Sequence, residues 1–177
     1  MTSDTCSYKE RLAHIDCFLF DVDGVFTDNR VLLFPGLDPV RTFHSRDAYA
    51  VQHAVKEGLR IVITTGGKSA GVEESFGRLG VKEFFYHVRD KSAKLDELIA
   101  TTGLDPTRTA YMGDDIPDLR VMQRVALPCC PADAAPEIKA ISAFISARPG
   151  GHGCVRDLLE QALKVRGQWL TDGAHTW

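Results

Sequence analysis

No CxxC pair occurs in the sequence, and its five cysteines, Cys6, Cys17, Cys129, Cys130 and Cys154, are odd in number. Both facts argue against a zinc ribbon and against a disulfide framework, so the cysteines, the vicinal Cys129 and Cys130 included, read as buried thiols. Long apolar runs are absent too. Stretches such as residues 17–20 and 61–63 are strand-sized and far short of the roughly 20 residues that span a bilayer. A basic excess is missing: the formal net charge of −3 gives no field for gripping nucleic acid. The histidines show no HxH, HxxxH or HExxH spacing, so none is assigned to a metal. The first twelve residues carry Asp4, Lys9, Glu10 and Arg11 with no apolar secretory core, which reads as a cytoplasmic chain. Repeats, low-complexity tracts and linkers are also lacking.

What remains is enough for one core. With 177 residues, 44% of them apolar, a single domain over residues 1–177 is expected. Short apolar runs alternate with helix-period segments throughout, the pattern of an α/β fold: a Rossmann-like three-layer sandwich around a mainly parallel sheet. Strands are expected at 17–22, 60–65, 83–87, 109–112, 125–127 and 143–146, and helices at 48–57, 69–79, 92–102, 119–124 and 155–165. Gly58, Gly80 and Gly103 stand just past three of those helices, as C-terminal glycines do. Residues 29–45 break the alternation: two extended runs, 30–34 and 40–43, flank Pro35-Gly36-Leu37-Asp38-Pro39 and predict a β-hairpin flap. Residues 171–177 read as a loose tail that only a partner surface would order.

In open parallel sheets ligands bind beyond the carboxyl ends of the strands, and here those ends are chemically loaded. The first carries Asp21-Val22-Asp23-Gly24, two carboxylates two residues apart followed by a turn-permitting glycine. The second carries Thr64-Thr65-Gly66, a hydroxyl and an amide suited to phosphate oxygens. Asp90-Lys91 adds a cation, and Gly113-Asp114-Asp115 with Asp118 forms an oxygen-rich cluster that suits Mg²⁺ better than zinc. Each piece alone is common; the ordered set is not. It resembles the four motifs of the haloacid dehalogenase superfamily, at Asp21-x-Asp23, Thr65, Lys91 and Gly113-Asp114-Asp115-x-x-Asp118, over nearly the whole chain.

That resemblance implies a phosphatase working through a phosphoaspartate. Asp21 would be the nucleophile and Asp23 the acid and base. Thr65, Gly66 and Lys91 would bind phosphate, and Asp21, Asp23 and Asp114 would hold Mg²⁺ with Asp115 and Asp118 behind them. The insertion point between the first two motifs holds only the flap, so no cap domain is expected. The chain resembles the capless 3-deoxy-D-manno-octulosonate 8-phosphate phosphatases, through the stretch from Asp21 to Asp28, Phe43-His44-Ser45-Arg46-Asp47, Pro131-Ala132-Asp133-Ala134 and Gly150-Gly151-His152-Gly153-Cys154-Val155-Arg156. The likeness implies a homotetramer in which a neighbour closes the site, a small phosphorylated sugar acid as substrate, and a place in lipopolysaccharide core sugar synthesis. Gly67 departs from the Thr-Gly-Arg of many relatives, which leaves a nine-carbon keto-deoxy sugar acid 9-phosphate as an alternative substrate. Arg46, Lys68, Arg78 and Arg156 are candidates for substrate contacts. A noncatalytic phosphoaspartate receiver or scaffold is the alternative from another class; the DxDG on the first predicted strand, with its extra Asp23, argues against it.

Overall fold

Strand β1, Cys17–Phe20, has all four residues buried, so it must be covered on both faces. Phe18 and Phe20 join the core on one face and Cys17 and Leu19 the core on the other, the alternation of an extended chain. A computed structural model describes residues 7–177 and shows how the rest is arranged around this strand. The elements following β1 are α2 (Ser45–Lys56), β2 (Arg60–Thr64), α3 (Ala70–Arg78), β3 (Glu83–Phe85), α4 (Lys91–Thr102) and β4 (Thr109–Met112). After these come α5 (Leu119–Met122), β5 (Leu127–Cys130), α6 (Pro136–Ile141), β6 (Phe144–Ile145) and α7 (Cys154–Val165), while α1 (Tyr8–Leu12) precedes β1. The six strands are all parallel, in the order β3-β2-β1-β4-β5-β6. Side chains of α1, α2, α3 and α7 pack on one face, and those of α4, α5 and α6 on the other, giving three layers with no cap domain among the described residues.

The strand order reverses between β1 and β4, and the crevice at their carboxyl ends is where such sheets bind ligands. Gly58, Gly80 and Gly103 all have the positive φ of helix-ending glycines. The fifth strand lies at Leu127–Cys130 rather than at 125–127. Pro128 interrupts the expected pattern but is accommodated: its carbonyl accepts from Ala143 on the β6 side, where β6 begins only at Phe144, so the missing N–H breaks no ladder bond. The short helices α1 and α6 escaped the sequence reading, and Cys6 lies outside the described residues.

The flap at 29–45 is a minimal hairpin, with one antiparallel pair, Leu32 and Val40, which exchange two bonds of 3.0 Å; the expectation for the tail needs correction. Leu32, Leu33, Phe34, Leu37 and Val40 are exposed, and a ribbon with neither face packed has little to hold more pairs. The segment 171–177 is not loose but lies on its own chain's α2. Tyr49 Oη donates to the Ala174 carbonyl, Lys56 Nζ to that of Thr176 at 2.9 Å, and the Trp177 ring stands 5.6 Å from that of Tyr49.

Helix α7 begins at a glycine that offers no side-chain cap, and a buried carboxylate from α2 takes that part. Asp47 Oδ1 accepts from the Arg156 amide at 2.6 Å and Oδ2 from the Gly153 amide at 3.1 Å. Asp47→Ala would leave both donors without their acceptor, and a loss of about 1–3 kcal/mol is expected as a lower urea midpoint. Asp47→Asn, which keeps an acceptor, should lose less. An unchanged midpoint for Asp47→Ala would refute the cap.

Candidate active site

The end of β1 is built to bring a carboxylate to the switch point. The Asp21 amide continues the ladder to the Met112 carbonyl at 3.0 Å, and the chain then turns at once, with the amides of Val25, Phe26 and Thr27 all directed to the Val22 carbonyl. Gly24 makes that turn at φ +80°; a Cβ there would lie 1.9 Å from Asp114 Oδ2, so the position needs glycine both for its backbone and for the close approach of β4's acidic loop.

Lys91 is the first residue of α4, where the helix dipole disfavours a cation. It is held there by two carboxylates: Nζ lies 2.7 Å from Asp21 Oδ2 and 2.6 Å from Asp118 Oδ1. Burial alone would pull the ammonium down, but Asp21 and Asp118 outweigh it and hold Lys91 above its ordinary value. Asp118 Oδ1 also accepts from the Tyr111 hydroxyl at 2.7 Å, and Oδ2 from the amides of Asp114 and Asp115 at 3.1 and 3.4 Å. Its oxygens are thus occupied by internal donors. Gly113 makes room for this arrangement, since a Cβ would meet Asp118 Cγ at 2.3 Å.

Oxygens of Asp21, Asp114 and Asp118 fall within 4.8 Å of one another. Burial pushes Asp21 up to about 7, against the pull of Lys91 and with the Asp118 charge adding to the rise. Burial likewise lifts Asp114 to about 6, although Asn29 Nδ2 donates to its Oδ2 at 2.7 Å. Such a set, short of positive charge and made of oxygen alone, fits a hard dication. Asp21 and Asp114 are the carboxylates with capacity left, because Asp118 is engaged by Lys91, Tyr111 and two amides.

The remaining residues divide. Thr65 is buried at the end of β2, its hydroxyl accepting from the Gly67 amide at 3.2 Å, with Gly66 exposed between them. Asp23 faces Arg41 of the flap, which lines a cleft with Val22, Thr65, Gly67 and Lys68. Asp115 is exposed and caps the turn at Ile116–Asp118. Lys68 borders the site, but three other candidate contacts do not join it within one chain. Arg78 is exposed and paired with Glu74, while Arg46 and Arg156 line a separate cleft with His44, Arg148 and Lys164. Arg156 is further engaged by Glu160 at 2.9 Å and by the Trp169 ring at 4.8 Å. Sequence reasoning missed Asn29, Arg41 and Tyr111. Only Asn29 left a local signal, as a residue type tolerant of the φ of +63° it adopts just past the DxDG turn.

No family model matches the chain. Similarity to individual proteins is extensive. The 3-deoxy-D-manno-octulosonate 8-phosphate phosphatase of Yersinia pestis is 30% identical over 154 residues, covering 87% of this chain and 82% of that protein. The chain belongs to the 3-deoxy-D-manno-octulosonate 8-phosphate phosphatase family. A crystal structure of the enzyme of that name from Y. pestis superposes with a TM-score of 0.86 at 29% identity, covering 90% of this chain and 86% of the other. The Moraxella catarrhalis phosphatase, crystallised with magnesium, phosphate and 3-deoxy-D-manno-octulosonate, matches at 28% identity and TM-score 0.85, covering 89% of this chain and 90% of that one. Membership of this family places the chain among haloacid dehalogenase superfamily hydrolases and sets aside the receiver and scaffold alternatives.

Asp21 and Asp114 both have folded-state values above 3.8, so the stability they supply is complete below about pH 4 and is lost as pH rises through about 7 in metal-free protein. Lys91→Met removes the cation that tempers this loss. Urea unfolding in metal-free buffer should show it weaker than the wild type by about 3–5 kcal/mol at pH 8, with a much smaller deficit at pH 5, where Asp21 protonates. A deficit that grows toward low pH would contradict this account.

Proposed function

We propose that the chain hydrolyses 3-deoxy-D-manno-octulosonate 8-phosphate to the free sugar acid and phosphate, in the cytoplasm, as one phosphatase domain. The observation that carries this reading is the Asp21, Lys91, Asp114 and Asp118 cluster at the sheet's switch point, in a chain of this family. Asp21 is the nucleophile: one of its oxygens attacks phosphorus in line, and the sugar's primary alkoxide leaves. Asp23 protonates that alkoxide and then takes a proton from the water that opens the acyl phosphate, returning Asp21 to its carboxylate. The Thr65 hydroxyl, the Gly66 amide and Lys91 hold the phosphoryl oxygens, and Asp118 fixes Lys91 through the 2.6 Å contact. Mg²⁺, held by the Asp21 and Asp114 carboxylates and the Asp23 carbonyl, supplies when bound the positive charge that offsets the phosphoryl group and the buried carboxylates.

The active form is a homotetramer in which a neighbour closes the open site. Support comes from the flap, whose exposed Leu32, Leu33, Phe34, Leu37 and Val40 form an apolar surface of the kind that is covered by a partner. Sedimentation at working concentration should give a tetramer, and Leu33→Asp should yield smaller species with reduced turnover. A fully active monomer would end this part of the proposal.

Asp21→Asn should abolish phosphate release, as should chelation of Mg²⁺, with recovery on adding Mg²⁺ back only in the wild type. Full activity after either treatment would overturn the mechanism. The substrate is decided by kcat/KM on the eight-carbon and nine-carbon keto-deoxy sugar acid phosphates, where the eight-carbon acid is expected to be preferred. The reverse preference would make the nine-carbon alternative the function.

A further inference from the structure

Gly67 follows the Thr65-Gly66 pair, and the volume a side chain would fill there is taken by Arg41. A Cβ on Gly67 would lie 2.9 Å from Arg41 Nη2 and 3.7 Å from Asp23 Oδ2. Arg41 comes from the returning arm of the flap, one residue past the Val40 that bridges to Leu32. Its side chain is 8% exposed and grips Asp23 with both tines of its fork, Nε to Oδ1 at 2.7 Å and Nη2 to Oδ2 at 3.0 Å, while Nη1 donates to the Pro39 carbonyl at 3.3 Å.

This grip conflicts with the work assigned to Asp23. A carboxyl group that carries a proton has turned one oxygen into a donor, and a donor does not sit opposite a guanidinium N–H. Arg41 must therefore release at least one oxygen before Asp23 can protonate a leaving group. A guanidinium leaving one carboxylate in a partly desolvated cleft needs a second anion of the same planar, two-pronged shape. The sugar acid substrate carries one. Of the other candidate arginines, Arg46 and Arg156 line a different cleft and Arg78 is paired with Glu74. The flap's arms are joined at the Leu32–Val40 pair, one residue before Arg41, and Phe43 beyond it packs against Phe26 and Phe76, so the exchange is made by the Arg41 side chain.

We propose that Arg41 is the residue that recognises the substrate carboxylate: it holds Asp23 in the free enzyme, exchanges it for the sugar acid's carboxylate on binding, and moves in the space left by the missing side chain at Gly67. The inference rests on the proposed sugar acid phosphatase activity and makes Arg41 a determinant of specificity.

The test compares Arg41→Met and Arg41→Lys with the wild type on 3-deoxy-D-manno-octulosonate 8-phosphate and on p-nitrophenyl phosphate, which has no carboxylate. Arg41→Met should lower kcat/KM for the sugar acid about 10- to 100-fold, chiefly through KM, and lower it severalfold less for p-nitrophenyl phosphate, which loses the charge of Arg41 but no carboxylate contact. Arg41→Lys, which keeps the charge but not the fork, should fall between. Equal losses on both substrates through kcat would mean that Arg41 only orients Asp23, and the inference falls. An unchanged sugar acid KM also refutes it. If the wild type turns over neither substrate, the phosphatase reading fails and takes the inference with it; wild-type turnover of both with an unchanged Arg41→Met profile refutes the inference alone.

Discussion

The ammonium of Lys91, held between Asp21 and Asp118, is the contact on which the rest of the site depends. It joins three separate pieces of chain: the end of β1, the start of α4 and the loop after β4. A cation at a helix N-terminus works against the helix dipole, and burying it costs hydration, so the position is stable only because two carboxylates converge on it. Their convergence requires further concessions. Gly113 gives up its side chain so that Asp118 can fold back, Tyr111 is buried in the sheet with its hydroxyl directed to Asp118, and the amides of Asp114 and Asp115 turn inward to the same carboxylate. Removing any of these would leave a buried charge short of a partner.

The loop carrying Asp21 and Asp23 is braced from outside as well. Gly150 and Gly151 press against it so closely that a Cβ on Gly150 would lie 2.0 Å from the Gly24 carbonyl, while the Gly151 amide donates to the Val25 carbonyl at 2.9 Å. Asp133 fixes Gly150 by accepting from its amide at 2.8 Å, and Asp47 fixes the start of α7 immediately after. The segments around Asp47, Asp133 and Gly150 thus share one mechanical task, holding the DxDG turn in place. That they sit apart in sequence and meet in space explains why each alone looks like an ordinary loop.

The sheet, its order of chemically loaded strand ends and the cluster of Asp21, Lys91, Asp114 and Asp118 were legible because they follow from local patterns: four-residue buried runs, glycine stops, and polar residues directly after strands. Other features depend on contacts that spacing does not encode. Arg41 lies 18 residues from Asp23, and nothing in the sequence between them indicates that the two would pair. Arg46 and Arg156 have the right charge but line a separate cleft, and the Arg156 amide is held there by Asp47. The flap's hairpin was legible in its residue types, but not that its pairing would stop at Leu32 and Val40, because the exposed apolar side chains around that pair give no packed face to extend it. The 171–177 segment has few apolar residues of its own, and its docking rests on Tyr49 and Lys56 of another element.

Charge balance explains how a site so rich in carboxylates can serve an anionic substrate. Among the described residues the ion pairs to Asp21, Asp23, Asp114, Asp115 and Asp118 come from Lys91 and Arg41, so the carboxylates outnumber the cations paired with them and would repel a phosphate monoester. Burial expresses the same excess by lifting Asp21 to about 7 and Asp114 to about 6, where protons are retained in place of a cation. On the proposed roles Asp21 must attack as a carboxylate, so a bound dication would both offset the charge that repels phosphate and favour the ionised form of Asp21.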